Sequence, residues 1–267
     1  RKKHAIAVVG TFDSKAEEHM FLKDRIEQKG LTAFTINVGT RAPSPAPVDL
    51  ALYKLIIANN ASVQDIRDRA IAAMIAEAKI RIKKLHADDK IAGMISAGGG
   101  TGTHIATCIM HELPLGVPKV MVSTVASRNM AKTVGTKDIT MIHSVADLLG
   151  VNSVSSRILD KAAAGICGMV QSRWNPQEAK KRIALPFFGF ITAGAEATKD
   201  ALEKLGYEVV AFHANGIGGM AMEELAAQGY FHGILDLATH ELADHLLDGS
   251  CGDIGPQRFE PSPGQSL

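Results

Sequence analysis

The chain has 267 residues, 46% of them hydrophobic and 21% charged, with a formal net charge of +1 at neutral pH. That length suits one large or two modest domains with a well-filled core, and the charge is too balanced and too evenly spread for a nucleic-acid-binding stripe or an acidic tail. Apolar runs fall short of the ~18 residues of a membrane span, no signal peptide is visible, and three scattered cysteines (Cys108, Cys167, Cys251) form no CxxC pair, so a cytoplasmic protein is expected.

Residues 4–10 (HAIAVVG) are a β-branched run closed by glycine, the pattern of a buried strand. Thr11-Phe12-Asp13-Ser14-Lys15 follows, then a helical pattern to Lys29, stopped by Gly30. Ser14 and Glu17 have the spacing of a capping box. Asp13 and Lys15 stand at the carboxyl end of the strand, where open α/β sheets place their ligands. Residues 31–39 read as a second strand, and 40–47, with Pro43, Pro45 and Pro47, as a surface loop. Residues 62–86 form a long helix in which Ile66, Ala70, Ala73, Met74 and Ala78 recur at helical spacing and belong to the core.

The chain is organised around residues 91–103, IAGMISAGGGTGT. A strand-length apolar run ends in Gly98, Gly99, Gly100 and Gly102, with Thr101 and Thr103 interleaved, and a helix-like segment follows over 104–111. Glycine lets a ligand approach the backbone closely, because no Cβ intervenes. Successive N–H groups at a helix N-terminus make a site for a phosphate or carboxylate. The alternative is a strand–helix turn without a ligand, although four glycines exceed what a turn needs. The loop is not a Walker A motif, since no GK[ST] closes it, and its spacing is wrong for a dinucleotide-binding GxGxxG.

A strand over 116–124 ends in Ser123 and Thr124, a loop covers 125–137, a short strand 139–144, and a helix 155–170. The segment 171–181, with the single Trp, a Pro and a charge run, marks a boundary. The pattern then restarts: strands at 182–189, 208–214 and 233–237, helices at 195–205, 220–228 and 239–247. Asn215-Gly216-Ile217-Gly218-Gly219 opens one of these helices, either as a tight turn or as a second anion site. His240 and Asp244 lie one turn apart, a spacing open to a metal but more simply read as a capped, solvated helix face. The tail after residue 249 is rich in Gly, Pro and Ser.

Strands alternating with helices imply parallel sheets flanked by helices. The expected fold is therefore α/β, with two Rossmann-like three-layer lobes. The first covers 1–175 with about five strands, and a smaller or incomplete second covers 182–249, followed by a tail. In the first lobe, loops 11–15, 98–103 and 123–124 converge at the carboxyl edge of the sheet. No nucleophile–base pair is evident, so no reaction is read from the residues.

Five ordered motifs carry a resemblance: GTFDSKAEE (10–18), GGGTGTHIAT (98–107), LPLGVPKVMVSTVAS (113–127), VGTKDITMIHSVADLLGVN (134–152) and FHANGIGGMAMEELA (212–226). Together they resemble the Tm-type ATP-binding proteins, uncharacterised bacterial and fungal proteins similar to the N-terminal domain of the tomato mosaic virus resistance protein. The resemblance spans nearly the whole chain to about Gly249. It implies two α/β subdomains, nucleotide bound mainly by the first, and a homodimer. On this sequence the phosphate loops fall on Gly10, Thr11, Asp13, Ser14 and Lys15, and on Gly98, Gly99, Gly100, Thr101, Gly102 and Thr103. Ser123, Thr124, Thr136 and Asp138 are further contacts. The implied cofactor is ATP, with or without Mg²⁺, and neither a membrane nor a nucleic acid is an expected partner. Family members continue further, whereas this chain starts at Arg1 and ends in GDIGPQRFEPSPGQSL, which implies missing residues or a shortened second lobe. The alternative reading is an enzyme acting on a small phosphorylated or carboxylated metabolite in a cleft between the lobes.

Overall fold

A computed structural model of the chain describes residues 5–53, 66–173, 180–249, 252 and 254. The start of the long helix expected at residue 62, much of the boundary segment 171–181, Cys251 and most of the tail lie outside the described residues. Two compact units divide between Arg173 and Trp174.

In the first unit, six parallel strands stand in the order β3-β2-β1-β4-β5-β6: β1 (Ala5–Gly10), β2 (Ala33–Asn37), β3 (Leu50–Ala51), β4 (Ile91–Gly98), β5 (Lys119–Ser123) and β6 (Thr140–His143). The two-residue β3 is the strand that sequence reasoning missed; it is too short to show an alternation. Among the described residues the helices of this unit are α1 (Phe12–Gln28), α2 (Ile66–Ala87), α3 (Gly100–Met110), the one-turn α4 (Ala131–Val134) and, after β6, α5 (Ser155–Gln171).

The period of two in β1 divides the core. Ile6 and Val8 pack with Leu22 and Ile26 of α1 and Leu159, Ala163 and Ile166 of α5. Ala7 and Val9 pack on the other face with Met74, Ala78 and Ile82 of α2 and Ile105 and Ile109 of α3. A strand buried on both faces has to be apolar throughout, and all six residues of β1 are buried. Strand order reverses between β1 and β4, so the loops leaving their carboxyl ends diverge to opposite faces and leave a crevice. That crevice separates the loop after Gly10 from the loop after Gly98.

The second unit holds a three-stranded parallel sheet in the order β8-β7-β9: β7 (Arg182–Phe187), β8 (Glu208–His213) and β9 (Gly233–Ile234). Its helices are α6 (Thr192–Lys204), α7 (Ile217–Ala227) and α8 (His240–Leu247). A small core of Ala184, Met222, Ala226 and Phe231 ties α7 to the central strand. Among the described residues, no helix is long and apolar enough to cross a membrane.

Candidate functional site

The crevice between β1 and β4 opens into a cavity of about 300 Å³. Thr11, Asp13, Ser14 and Lys15 line it from the first loop, and Gly99, Gly100, Thr101 and Gly102 from the second. The latter residues begin α3. Its N-cap is Gly99, no side chain caps the helix, and its first turn carries no acidic residue. The first N–H groups of a helix have no acceptor within it, so those of Gly100, Thr101 and Gly102 face the cavity with the positive end of the helix dipole behind them. At Gly98 a Cβ would stand 3.1 Å from the Gly102 Cα, closer than ordinary van der Waals contact, so glycine lets α3 start tight against the end of β4.

Cations surround this amide cluster. Arg67 of α2 donates from Nη2 to the Thr101 hydroxyl at 3.3 Å, and Arg41 reaches the cavity from the proline-rich loop. Lys15 also lines the cavity, but its Nζ donates to the Leu148 carbonyl and lies 3.8 Å from Glu18. Its charge is therefore already shared. Asp13 is the cavity's carboxylate, and it accepts the Arg41 N–H at 2.9 Å, fixing the 39–41 turn.

A second layer of buried polar groups supports the loops. His19 has no solvent exposure, and burial is the main cause lowering its pKa from 6.5 to about 4, so the ring is neutral. Its Nδ1 lies 2.7 Å from the Lys15 carbonyl and must donate to it. Nε2 therefore accepts the Ala97 N–H at 3.3 Å, at the end of β4. Beyond the ring lies Gly10, where a Cβ would come within 1.9 Å of Nε2. One imidazole thus joins the carboxyl ends of β1 and β4 through α1. Asn37 does similar work beside it, accepting from the N–H groups of Phe12 and Gly39 at 3.1 and 2.8 Å. Its amide nitrogen is buried and has no hydrogen-bond partner among the described residues.

Several sequence-based expectations change. The Ser14–Glu17 capping box does not form, because α1 starts at Phe12 and Ser14 lies inside its first turn, bonding back to Thr11. Glu17 and Glu18 instead accept the N–H groups of Val151 and Gly150. Gly10 and Gly98 are the buried last residues of β1 and β4, not cavity walls. Thr103 and Ser123 are buried against each other, their hydroxyls 2.7 Å apart, so they lock α3 to β5 and do not line the cavity. Thr124 stands beside Gly99, 3.7 Å from where its Cβ would be, but does not line the cavity.

Thr136 and Asp138 precede β6 and so sit at the amino edge of the parallel sheet, the edge opposite the glycine loop. There Asp138 holds the buried ammonium of Lys119 at 2.6 Å and the Gly116 N–H at 2.9 Å. Burial lowers the Lys119 pKa, opposed by Asp138, and the carbonyls of Pro114 and Val117 complete its coordination. It is a structural ion pair.

In the second unit, the Gly216 N–H is taken by the buried Glu241 carboxylate at 2.5 Å and the Gly218 N–H by Asn215 Oδ1 at 3.2 Å. A carboxylate of the chain occupies the place of an external anion, so the tight-turn reading of that loop holds. Thr239 makes no side-chain cap to α8. No group of three metal-ligating side chains occurs among the described residues, and the His240–Asp244 spacing does not build one.

Sequence reasoning missed Thr40, Arg41, Arg67, Ile71 and Ile105 as cavity walls. Thr40 and Arg41 had a signal, since they follow the strand expected next to the first. Arg67 had none, because it comes from a helix remote in sequence.

Two family models match, described as the N-terminal domain of the uncharacterised protein family UPF0261 over residues 4–175 and its C-terminal domain over 180–263. A UPF0261 protein of Clostridium tetani is 41% identical over 96% of this chain and 64% of its own length. One from Rhizobium meliloti is 41% identical over 91% of this chain and 61% of its own. The ToMV susceptible protein tm-1 of Solanum lycopersicum is 33% identical over 90% of this chain, which spans 35% of that relative. The chain thus spans less than two thirds of the length of these relatives. Among solved structures, MurG of Acinetobacter baumannii gives a TM-score of 0.33 at 14% identity, covering 88% of this chain and 68% of that one. A UDP-GlcNAc 2-epimerase from Neisseria meningitidis gives 0.34 at 11%, covering 88% and 71%. Nothing about ligand or reaction follows from these scores.

Proposed function

The chain belongs to the UPF0261 family, and we propose that its first unit binds an organic phosphate, ATP or a related nucleotide, at the β1–β4 crevice. The observation that carries the reading is the uncapped N-terminus of α3 opening into a cavity flanked by Arg41, Arg67 and Lys15. With Lys15 shared with Glu18, Arg41 and Arg67 stand against the single carboxylate of Asp13, which is already engaged by the loop it supports, and the cavity is left positive. Backbone amides at a helix N-terminus bind phosphate oxygens through dipole and hydrogen bond together. Arg67, already turned onto Thr101, supplies a charge-assisted bond to the same oxygens. Mg²⁺ would ride on the polyphosphate, since Asp13 alone is too small a ligand set for a protein-held ion.

Calorimetric titration with ATP, ADP, AMP and NAD, each with and without Mg²⁺, tests this. A nucleotide affinity in the micromolar range is expected, and Arg67→Ala should weaken it by about tenfold, or ~1.4 kcal/mol. Absence of heat with every nucleotide, or an affinity indifferent to Arg67→Ala, would overturn the reading.

A further inference from the structure

Lys15 stands at a break in α1. Its backbone, with φ −134° and ψ 35°, is not helical, unlike that of its neighbours in the helix. The side chain runs from this break along the cavity to the loop that follows β6, where Nζ meets the Leu148 carbonyl. We propose that Lys15 is a latch with two positions. In this structure its ammonium holds the 145–151 loop, and a phosphate in the cavity draws the ammonium away and loosens that loop. The proposal rests on the phosphate reading above and adds a conformational response to it.

The loop is held from three points on α1. Lys15 Nζ donates to the Leu148 carbonyl, Glu18 Oε1 accepts the Gly150 N–H at 3.0 Å, and Glu17 Oε1 accepts the Val151 N–H at 3.0 Å. A Cβ on Gly150, whose φ is +76°, would stand 3.0 Å from Glu17 Oε2, so the loop backbone lies directly on these carboxylates. Packing holds the tip less firmly. Leu148 is buried in the core with Phe12 and Leu22, but Val145 and Leu149 are 71% and 86% exposed. Val145 also has φ +63°, a left-handed conformation that a β-branched residue adopts only under constraint. The loop is thus kept in a strained shape, and the contacts from α1 oppose its relaxation.

Lys15 is the member of this trio that the cavity can recruit. It is itself a cavity wall, and an ammonium on four flexible carbons re-aims readily. In its present position it meets a neutral carbonyl, while the Glu18 carboxylate, at 3.8 Å, is beyond hydrogen-bonding distance. A polyphosphate at the amides of α3 offers charged oxygens within the same cavity, and a bond between two charged partners outweighs one to a carbonyl. Once the ammonium moves, the Leu148 carbonyl loses its donor and the buried Glu18 carboxylate loses the cation beside it. A buried carboxylate without a counter-charge draws in water, which opens the seam between α1 and the loop.

Amide hydrogen exchange of the full chain tests this, with and without ATP at a concentration that saturates the calorimetric signal. Exchange over residues 145–151 should quicken about tenfold on ATP binding, while the amides of β1 and β4 should not respond in this way. Lys15→Met, which keeps the side-chain length but removes the charge, should quicken the same residues without ATP. Val145→Asn, which suits the left-handed conformation, should slow them and shrink the ATP effect. Thermal unfolding of each variant establishes that it is folded. ATP binding with unchanged exchange over 145–151, or a folded Lys15→Met protein whose loop exchanges like that of wild type, would overturn the latch and leave the phosphate site standing. No heat with ATP or any other nucleotide would overturn the phosphate reading and the latch with it.

Discussion

Protonation of His19 should destabilise the first unit at the carboxyl edge of its sheet. The ring is fully buried, with a pKa near 4 against 6.5 for an exposed histidine. The folded pKa is depressed, so the unfolded chain takes up a proton between pH 6.5 and 4 while the folded chain does not. Stability is intact above pH 6.5 and falls as pH drops through that window, with a slope approaching 1.4 kcal/mol per pH unit. The loss attributable to this residue is about 2 kcal/mol at pH 5 and about 3 kcal/mol below pH 4. Urea unfolding of wild type and His19→Gln at pH 7.5, 6.0, 5.0 and 4.5 isolates it. The variant should be less stable at pH 7.5, because Lys15 and Ala97 lose an ideally placed partner. Its stability should then decline less steeply than that of wild type between pH 6.5 and 4.5. Parallel pH profiles would refute the neutral, doubly bonded ring and with it the account of how α1 ties β1 to β4.

Two other substitutions separate support from binding. Gly10→Ala drives a methyl into the His19 ring, and the expected cost is about 2–4 kcal/mol in urea unfolding, with the far-UV spectrum of the folded form retained. A neutral result would mean that the ring does not lie against Gly10. Asp138→Asn strips the buried Lys119 of its counter-charge and should lower stability by roughly 1–3 kcal/mol, the lower figures reflecting the partly exposed aspartate. Nucleotide affinity should be unchanged, because this pair lies at the opposite edge of the sheet. A fall in affinity without a fall in stability would return Asp138 to the binding site.

The alternation of strand and helix, the apolar period of each element and the glycine turns are local properties, and they were readable in the sequence. They place β1, β2, β4, β5 and β6 within a few residues of their positions, and they put the glycine loop at the start of a helix. The 11–15 and 99–102 loops were legible as partners for one further reason. The carboxyl ends of all strands of a parallel sheet lie along one edge, and this follows from the alternation of strand and helix.

What escaped the sequence was the side-chain pairing of remote residues. Spacing gives no sign that His19 accepts a hydrogen bond from Ala97, 78 residues away, or that Arg67 leans onto Thr101. Nor does the composition of a loop say which end of the sheet it reaches. Ser123 and Asp138 both read as polar groups beside strands, yet one is consumed in locking α3 and the other pairs with Lys119 at the far edge. The sequence determined the elements and the run of glycine amides at the start of α3, because hydrophobic period and glycine conformation act over a few residues. The tertiary structure alone decided which side chains surround those amides. Burial forces polar groups to find partners wherever packing brings them, and packing depends on the whole chain at once.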